Sequence, residues 1–574
     1  MRKRTWAALT CAALLSATMA ASAYAGKKSV DGARQFFKEI PKEQRIEHAL
    51  NRLTFGPRPG DAEQVRAIGL KQWIDQQLHP EQIAENPVLL DKLKLLDTLN
   101  LSSAELVRNY PTPQMIKQMV SGQMPFPNDP QKRMLIEKLV ARYEKRQQAG
   151  GDAAALPPGA PAPEELRKVL TQEEIRSLRA GTPQERVQAF EALPADKQID
   201  VISALPQGVR QALFVAAPPE LRRKLELAGG PAQVIQRDLT EAKLLRAVYS
   251  NRQLEEVLDD FWFNHFNVFL DKGADRYLVT DYERDAIRPH VLGKFRDLLE
   301  ATAKSPAMLF YLDNWQSVGP NAPQGRGKNR SRGLNENYGR ELMELHTLGV
   351  DGGYTQKDVT EVARCFTGWS INQPQRGGQF VFNPRLHDNG EKTVLGVKIP
   401  AGGGISDGEK VLDIVAHHPA TARFISRELA QRFVADDPPQ TLIDAMAATF
   451  TKTDGDIRDV LKTMFNSKEF WSVGAYRSKM KSPLELVASA VRATGGNVDF
   501  AFPLANQIAQ LGEPLYRKIE PTGYSNSSKE WNNSAGLLAR MNFALQLADN
   551  KMQGVKVDKP AEGIALGSPE FQKR

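Results

Sequence analysis

Carboxylates, an imidazole and a guanidinium crowd one stretch of the 574-residue chain, Leu334-Asn-Glu-Asn-Tyr-Gly-Arg-Glu-Leu-Met-Glu-Leu-His-Thr-Leu-Gly349. On a helix turning about 100° per residue, Asn337, Arg340, Glu341 and Glu344 share one face within about 100°, and Tyr338, Leu342 and Leu345 form the apolar side. Two carboxylates one turn apart have two chemical uses. They can ligate a divalent metal with histidines from other segments, or split their pKa values by mutual repulsion and act as an acid/base pair. Their non-functional use is a solvated face on which Arg340 bridges the two glutamates. His346 lies about 140° from Glu341 on the same wheel, so a triad of Glu341, Glu344 and His346 fails on a regular helix.

The histidines that can complete such a site are His265, framed by rings in Phe261-Trp-Phe-Asn-His-Phe-Asn267, and His387, which precedes Asp388. The expected metal ligands are therefore Glu341, Glu344, His265 and His387. The expected catalytic set is Glu341, Glu344, Arg340, Asn337, His387 and Asp388, with Arg340 and Asn337 orienting substrate or carboxylates. So many rings around His265 also suit a sugar or aromatic ligand. His417-His418-Pro419 reads as a helix end, Thr355 with Asp358 as an N-cap, and Thr453-Asp-Gly-Asp456 as a helix-opening turn, because a calcium loop would need a final Glu. Upstream, Ser317 to Gly333 mixes glycines with Arg326, Lys328, Arg330 and Arg332, which suits either an anion trap ahead of a helix N-terminus or a solubilising loop.

Missing signatures narrow the chemistry. There is no Gly-x-Ser-x-Gly elbow, no His-Glu-x-x-His and no phosphate-binding P-loop. Of the two cysteines, Cys11 falls in the leader, so Cys365 is the one mature thiol, and neither an internal disulfide nor a cysteine-based metal centre is available.

Asn335 as N-cap and Gly349 as C-cap delimit a helix of three to four turns for the Glu pair. Phe380-Val-Phe382 and Thr393-Val-Leu395 flank Asp388-Asn389-Gly390, and the Asn-Gly pair predicts a β-hairpin that presents His387 and Asp388. Elsewhere apolar residues such as Ile46, Leu50 and Leu53 keep helical spacing, broken by the turn from Phe55 to Gly60. Gly150 to Pro163 reads as a flexible linker. Pro183, Pro194, Pro206 and Pro218 then recur every eleven or twelve residues, each opening a short amphipathic helix that offers contact surface rather than chemistry.

The expected fold is thus mainly α, a multi-helix globular domain with a small β-hairpin near residues 378–400 and an inserted array of short helices. Its parts are a signal peptide over 1–25, an N-terminal helical part over 26–149, the linker and short-helix insertion over 150–235, a main helical domain over 236–552 and a tail over 553–574. Six of the eight histidines and five of the seven tryptophans follow Asp260, which places polar chemistry in the main domain. Arg2, Lys3 and Arg4, an apolar run from Trp6 and the small-x-small Ala23-Tyr-Ala25 predict cleavage and export to the periplasm or beyond, with no membrane span afterwards. The formal charge of +8 falls to +5 without those three residues, too mild to imply nucleic acid.

The order of motifs carries a resemblance. Asn51-Arg-Leu-Thr-Phe-Gly-Pro57, Phe261-Trp-Phe-Asn-His-Phe266, Leu334-Asn-Glu-Asn-Tyr-Gly-Arg-Glu-Leu342, Leu345-His-Thr-Leu-Gly-Val350, Gly353-Tyr-Thr-Gln356, Phe366-Thr-Gly-Trp369, His387-Asp388, His418-Pro-Ala-Thr-Ala422 and Phe424-Ile425 resemble the bacterial family called domain of unknown function 1800. The similarity runs from about residue 43 to 552, interrupted by the linker and proline-repeat region. It implies an exported bacterial protein, often encoded beside a sulfatase-like or phosphatase-like protein, and it assigns no catalytic residues. The expectation is an enzyme of hydrolase or lyase type acting on an extracytoplasmic anionic or carbohydrate-like substrate through a carboxylate/histidine site, with a divalent metal as the cofactor such a site would take. The alternative is a non-catalytic assembly or maturation partner of a sulfatase-like exported protein, docking through the proline-repeat helices.

Overall fold

Helical periodicity dominates the sequence, and the computed structural model is mainly α, with three two-stranded antiparallel sheets among the described residues. It describes residues 34–148, 167–204, 213–320, 322, 333–557 and 563–574. The expected signal peptide, the linker from Gly150 to Pro163, Pro206 and the basic residues Arg326 to Arg332 lie outside the described residues.

Two helices form the centre and are buried on almost every side. Pro231–Tyr249 buries Val234, Ile235, Leu239, Ala242, Leu244 and Leu245, and Gln253–His265 buries Leu254, Val257, Leu258, Phe261, Trp262 and Phe263. Both also bury charge, which a low-dielectric interior tolerates only with partners. Those partners come from distant segments. Asp238 accepts from Arg223 at 2.7 and 2.6 Å and from the Thr98 hydroxyl at 2.7 Å. Lys243 lies 3.3 Å from Glu283 and 3.4 Å from Asp260, while Arg288 donates to both oxygens of Glu256 at 2.9 and 3.0 Å and to Asp259 at 2.9 Å.

The chain ends close over this centre. Leu50, Leu53 and Phe55 share one hydrophobic core with residues as late as Leu566. Arg52, fully buried, donates to the Val434 carbonyl and to the Ser478 hydroxyl, both at 3.0 Å. Two expected boundaries therefore move. The break at 235/236 falls inside the continuous helix Pro231–Tyr249. Residues beyond 553 pack as part of the main body, since β6 (Val555–Lys556) pairs with β5 (Asn497–Val498) and Lys573 bridges to Met480.

The proline-punctuated region forms short helices, Gln172–Arg179, Pro183–Glu191, Ala195–Ala204 and Pro219–Gly229. Thr171 with Glu174 and Thr182 with Glu185 close reciprocal capping boxes, the device that makes a two-turn helix start where it does. Leu178, Val187, Phe190, Ile202, Leu221 and Leu225 form a hydrophobic core that these helices share with Leu135 of the helix Pro130–Gln148.

A small β-hairpin forms within residues 378–400, but Asn389-Gly390 is not its turn. β1 (Trp369–Ile371) pairs antiparallel with β2 (Phe380–Phe382), whereas β3 (Lys392–Val394) pairs with β4 (Val397–Ile399). The tight turn is Leu395-Gly396, with φ of 48° and 79°, the double positive φ that a type I′ turn requires. Asn389-Gly390 is spent otherwise: the Gly390 amide donates to the Asp388 carboxylate at 2.9 Å, a local turn that competes with hairpin formation.

Candidate functional site

The segment carrying the Glu pair begins near its expected start. Asn335 Oδ1 accepts from the Asn337 amide at 2.8 Å, and the helix opens at Asn337. From Leu342 to Thr347, however, it winds as a π-turn, with the Leu348 amide donating to the Met343 carbonyl at 2.9 Å. The extra residue per turn gives a buried stripe of Tyr338, Leu342, Met343, His346 and Thr347, so Leu345 is only half-buried and His346 takes the interior place that a 3.6-residue period gives to Leu345. Gly349 ends the segment at φ 80°, where a Cβ would meet the Phe424 ring at 2.8 Å. π-Turns are rare and concentrate at functional sites.

Glu341 and Glu344 stay half-buried on the other side. Burial, followed by the Glu344 charge, pushes the Glu341 carboxyl above its ordinary range against the opposing pull of Arg340. Glu344 accepts from the Tyr354 hydroxyl at 3.2 Å. Arg340 does not bridge the two glutamates; it donates to Gln356 at 2.9 Å and lies 3.7 Å from Glu336. Asn337 is exposed. The arrangement is a carboxyl held toward its protonated form beside a second carboxyl that accepts from a phenol, an inequality that suits an acid/base pair.

His265 donates from Nε2 to the His346 carbonyl at 3.1 Å and lies among Phe261, Trp262, Phe266 and Phe424. Burial lowers its pKa to about 4, and burial together with His265 lowers that of His346 to about 3. His48, donating to the Phe470 carbonyl, is likewise pushed to about 3 by burial and by Arg52. Each imidazole is thus neutral in the fold and titrates near 6.5 once unfolded. Folded-state pKa values below the unfolded one mean that these groups stabilise fully above pH 6.5 and lose that contribution as pH falls through 4 toward 3. For the fully buried His48 and His346 the slope is about 1.4 kcal/mol per pH unit each across that window. Urea unfolding at neutral pH and in the acid window checks this, and His346→Gln should flatten the acid slope by one group.

His387 and Asp388 are buried and tied into the interior by hydrogen bonds. His387 Nδ1 meets the Thr367 carbonyl at 2.7 Å and Nε2 meets Asp407 at 3.1 Å, so both ring nitrogens are occupied at zero exposure. Lys392 adds an ion pair to Asp407 at 2.7 Å. Burial raises the Asp388 carboxyl, and hydrogen bonds from Arg364 Nε at 3.0 Å and the Gly390 amide outweigh it, leaving the carboxyl below its ordinary range. The network fastens both small sheets to the helices Gln356–Cys365 and Ser406–Ala416, and the strand-end position that suggests a site is explained by this fastening. Among the described residues no three His, Cys, Asp or Glu side chains form a group able to hold a metal ion, so the set Glu341, Glu344, His265 and His387 is not assembled.

Several smaller expectations agree with the structure. Thr355 and Asp358 close a capping box, His417 ends the helix Ser406–Ala416 while His418 caps the next, Pro419–Phe433, and Asp456 caps Ile457–Phe465. Cys365 is buried, and burial pushes its thiol up to about 12, which keeps it protonated and unreactive. Helical periodicity does not single out Tyr354, although it falls in the motif Gly353-Tyr-Thr-Gln356. Nor does it single out the buried ions of the central helices, whose signal is the acidic doublets Glu255-Glu256 and Asp259-Asp260 inside an otherwise apolar helix. No described helix is long and apolar enough to cross a membrane.

No curated protein and no solved structure matches the chain. The family model described as protein of unknown function (DUF1800) matches residues 48–567, and the chain belongs to that family.

Proposed function

We propose that the protein is exported to the periplasm or beyond and is an enzyme of hydrolase or lyase type, acting on a carbohydrate-like or anionic substrate with Glu341 and Glu344 as its acid/base pair. The observation that carries this reading is the unequal environment of the two carboxyls on the π-turn: Glu341 is raised by burial and by Glu344, while Glu344 is held by the Tyr354 hydroxyl. Proton donation by Glu341 to a leaving oxygen, with Glu344 removing a proton from water or from a substrate carbon, needs no ligand from His265 or His387. The Tyr354 hydroxyl reaches Glu344 and the Phe424 ring packs at the Gly349 cap, so aromatic rings of the kind that stack on sugars lie close to the pair. The test is release of reducing ends or of unsaturated products from a panel of neutral and acidic polysaccharides by the native protein, set against Glu341→Gln and Glu344→Gln. Product formation that survives both substitutions removes the assignment.

The second reading, assembly or maturation partner of a sulfatase-like exported protein, draws on the second hydrophobic core, which the helices between Gln172 and Gly229 form together with Leu135 and Leu170. A unit that buries its own apolar face can be presented as a docking arm. Co-purification with the sulfatase-like partner, lost on deletion of residues 172–204 while the rest, with Arg223 still paired to Asp238, unfolds cooperatively, is the expected result under that reading.

A further inference from the structure

The helix Ser534–Ala548 is apolar on more sides than the fold covers. Phe543, Ala544 and Leu547 enter the main core, and Arg540 is buried with them, bonded to Gln572 at 3.2 Å. The remaining side carries Leu537, Leu538, Met541 and Leu545, which are 38, 63, 51 and 45% exposed. At about 100° per residue these four fall within about 100° of one another and form one stripe. No other described helix exposes more than two large apolar side chains. A helix that is hydrophobic all round belongs in an interior, and a contiguous apolar stripe on a surface marks a contact face.

The residues of the stripe also say what fits it. Arg540 is the one charged residue between Trp531 and Ala548, so the exposed face offers no charge to an acidic or basic partner. It also lacks the lysines and arginines with which a surface helix grips anionic lipid. Leu538, Met541 and Leu545 keep the three- and four-residue spacing of a helix–helix seam. The stripe is symmetric as well, because Leu537 and Leu545 lie four residues to either side of Met541. Turned end for end about Met541, it meets itself, leucine on leucine and methionine on methionine, which is the self-complementarity that a two-fold interface requires. Exposed charges begin only beyond its ends, Lys529 and Glu530 before the helix and Asp549 and Lys551 after it. Each end carries one charge of either sign, so the reversed pair meets no net repulsion.

We propose that this stripe is the interface of a homodimer, in which two copies of the helix Ser534–Ala548 pack antiparallel about a two-fold axis at Met541. The interface is separate from Glu341 and Glu344 and does not rest on the acid/base reading. Four side chains from each copy make a contact at the small end of specific interfaces, so the dimer should dissociate in the micromolar range, at about 1–100 μM. Sedimentation velocity of the native protein from about 1 to about 500 μM should show the sedimentation coefficient climbing from that of a monomer to that of a dimer. Met541→Lys sets two ammonium groups together on the axis and should weaken association at least about tenfold. Leu537→Glu and Leu545→Lys should each weaken self-association as well. Both leave the fold intact, since the residues are exposed and each new charge sits at the helix end whose dipole favours it. Mixed together, these two variants should regain at least the native affinity, because position 537 of one copy faces position 545 of the other and the new charges are opposite. A parallel pair brings no such recovery. A native protein that stays monomeric across the range, native-like association by Met541→Lys, or no recovery on mixing would each overturn the proposal.

Discussion

Lys243→Met is expected to lower the stability of the fold by about 3–5 kcal/mol, the cost of breaking a buried ion pair by removing one partner. The ammonium has a side-chain exposure of 7% and stands 3.3 Å from Glu283, 3.4 Å from Asp260 and 4.0 Å from Asp259. Burial alone would strip its proton; Glu283, Asp260 and Asp259 together hold its pKa above the ordinary lysine range. Remove it and Arg288 is the remaining cation bonded within the cluster, already shared between Glu256 and Asp259. Glu283 then keeps the Tyr516 hydroxyl and the pull of Arg288 but loses the largest of its compensating charges. Methionine fills the volume, so packing loss adds little and the measured change reports the charge. Lys243→Met with Glu283→Gln should recover part of the loss, with a coupling of at least about 1 kcal/mol between the two positions. Denaturant unfolding of the two single variants and the double variant gives that number. A Lys243→Met protein within about 1 kcal/mol of native would mean that the carboxyls simply take up protons, and the ion cluster would not be a structural keystone.

The same cluster shows where sequence reasoning stops. Helical spacing over Ile46, Leu50 and Leu53, the caps at Thr355 and Asp456 and the helices opened at Pro183 and Pro219 are local signals, written within a turn or two of the residues they govern, and the fold obeys them. Lys243, Asp260, Glu283 and Tyr516 are spread over nearly half the chain, and nothing in the spacing of any one of them announces the others. At the candidate site, the face carrying Glu341 and Glu344 was legible from an ordinary helical wheel. The exchange of Leu345 for His346 in the interior was not, because a wheel assumes 3.6 residues per turn and the π-turn adds one. His387-Asp388 reads two ways for a different reason. Histidine and aspartate beside an Asn-Gly pair fit a site at a hairpin tip as well as an interior tie, and only the arrival of Asp407, Lys392 and Arg364 from elsewhere decides for the tie.

Glu341→Gln is expected to lower turnover about 10²- to 10⁴-fold on any substrate the native protein converts, with little change in binding. The substitution preserves shape and removes only the proton that Glu341 would donate, so a kcat loss with an unchanged KM separates proton transfer from positioning. The pH profile carries the sign. A general acid must be protonated, and burial with the neighbouring Glu344 raises Glu341, so activity should fall on the alkaline side as pH rises through that raised value. Glu344→Gln removes the second of those two causes and leaves burial in place. Carbon-detected NMR of the Glu341 carboxyl should therefore find its titration moved to lower pH in Glu344→Gln, and this holds whether or not a substrate is in hand. If instead the Glu341 titration is the same in both proteins, the two carboxyls do not sense one another. The acid/base pair then has no electrostatic basis, however close the residues stand on the π-turn.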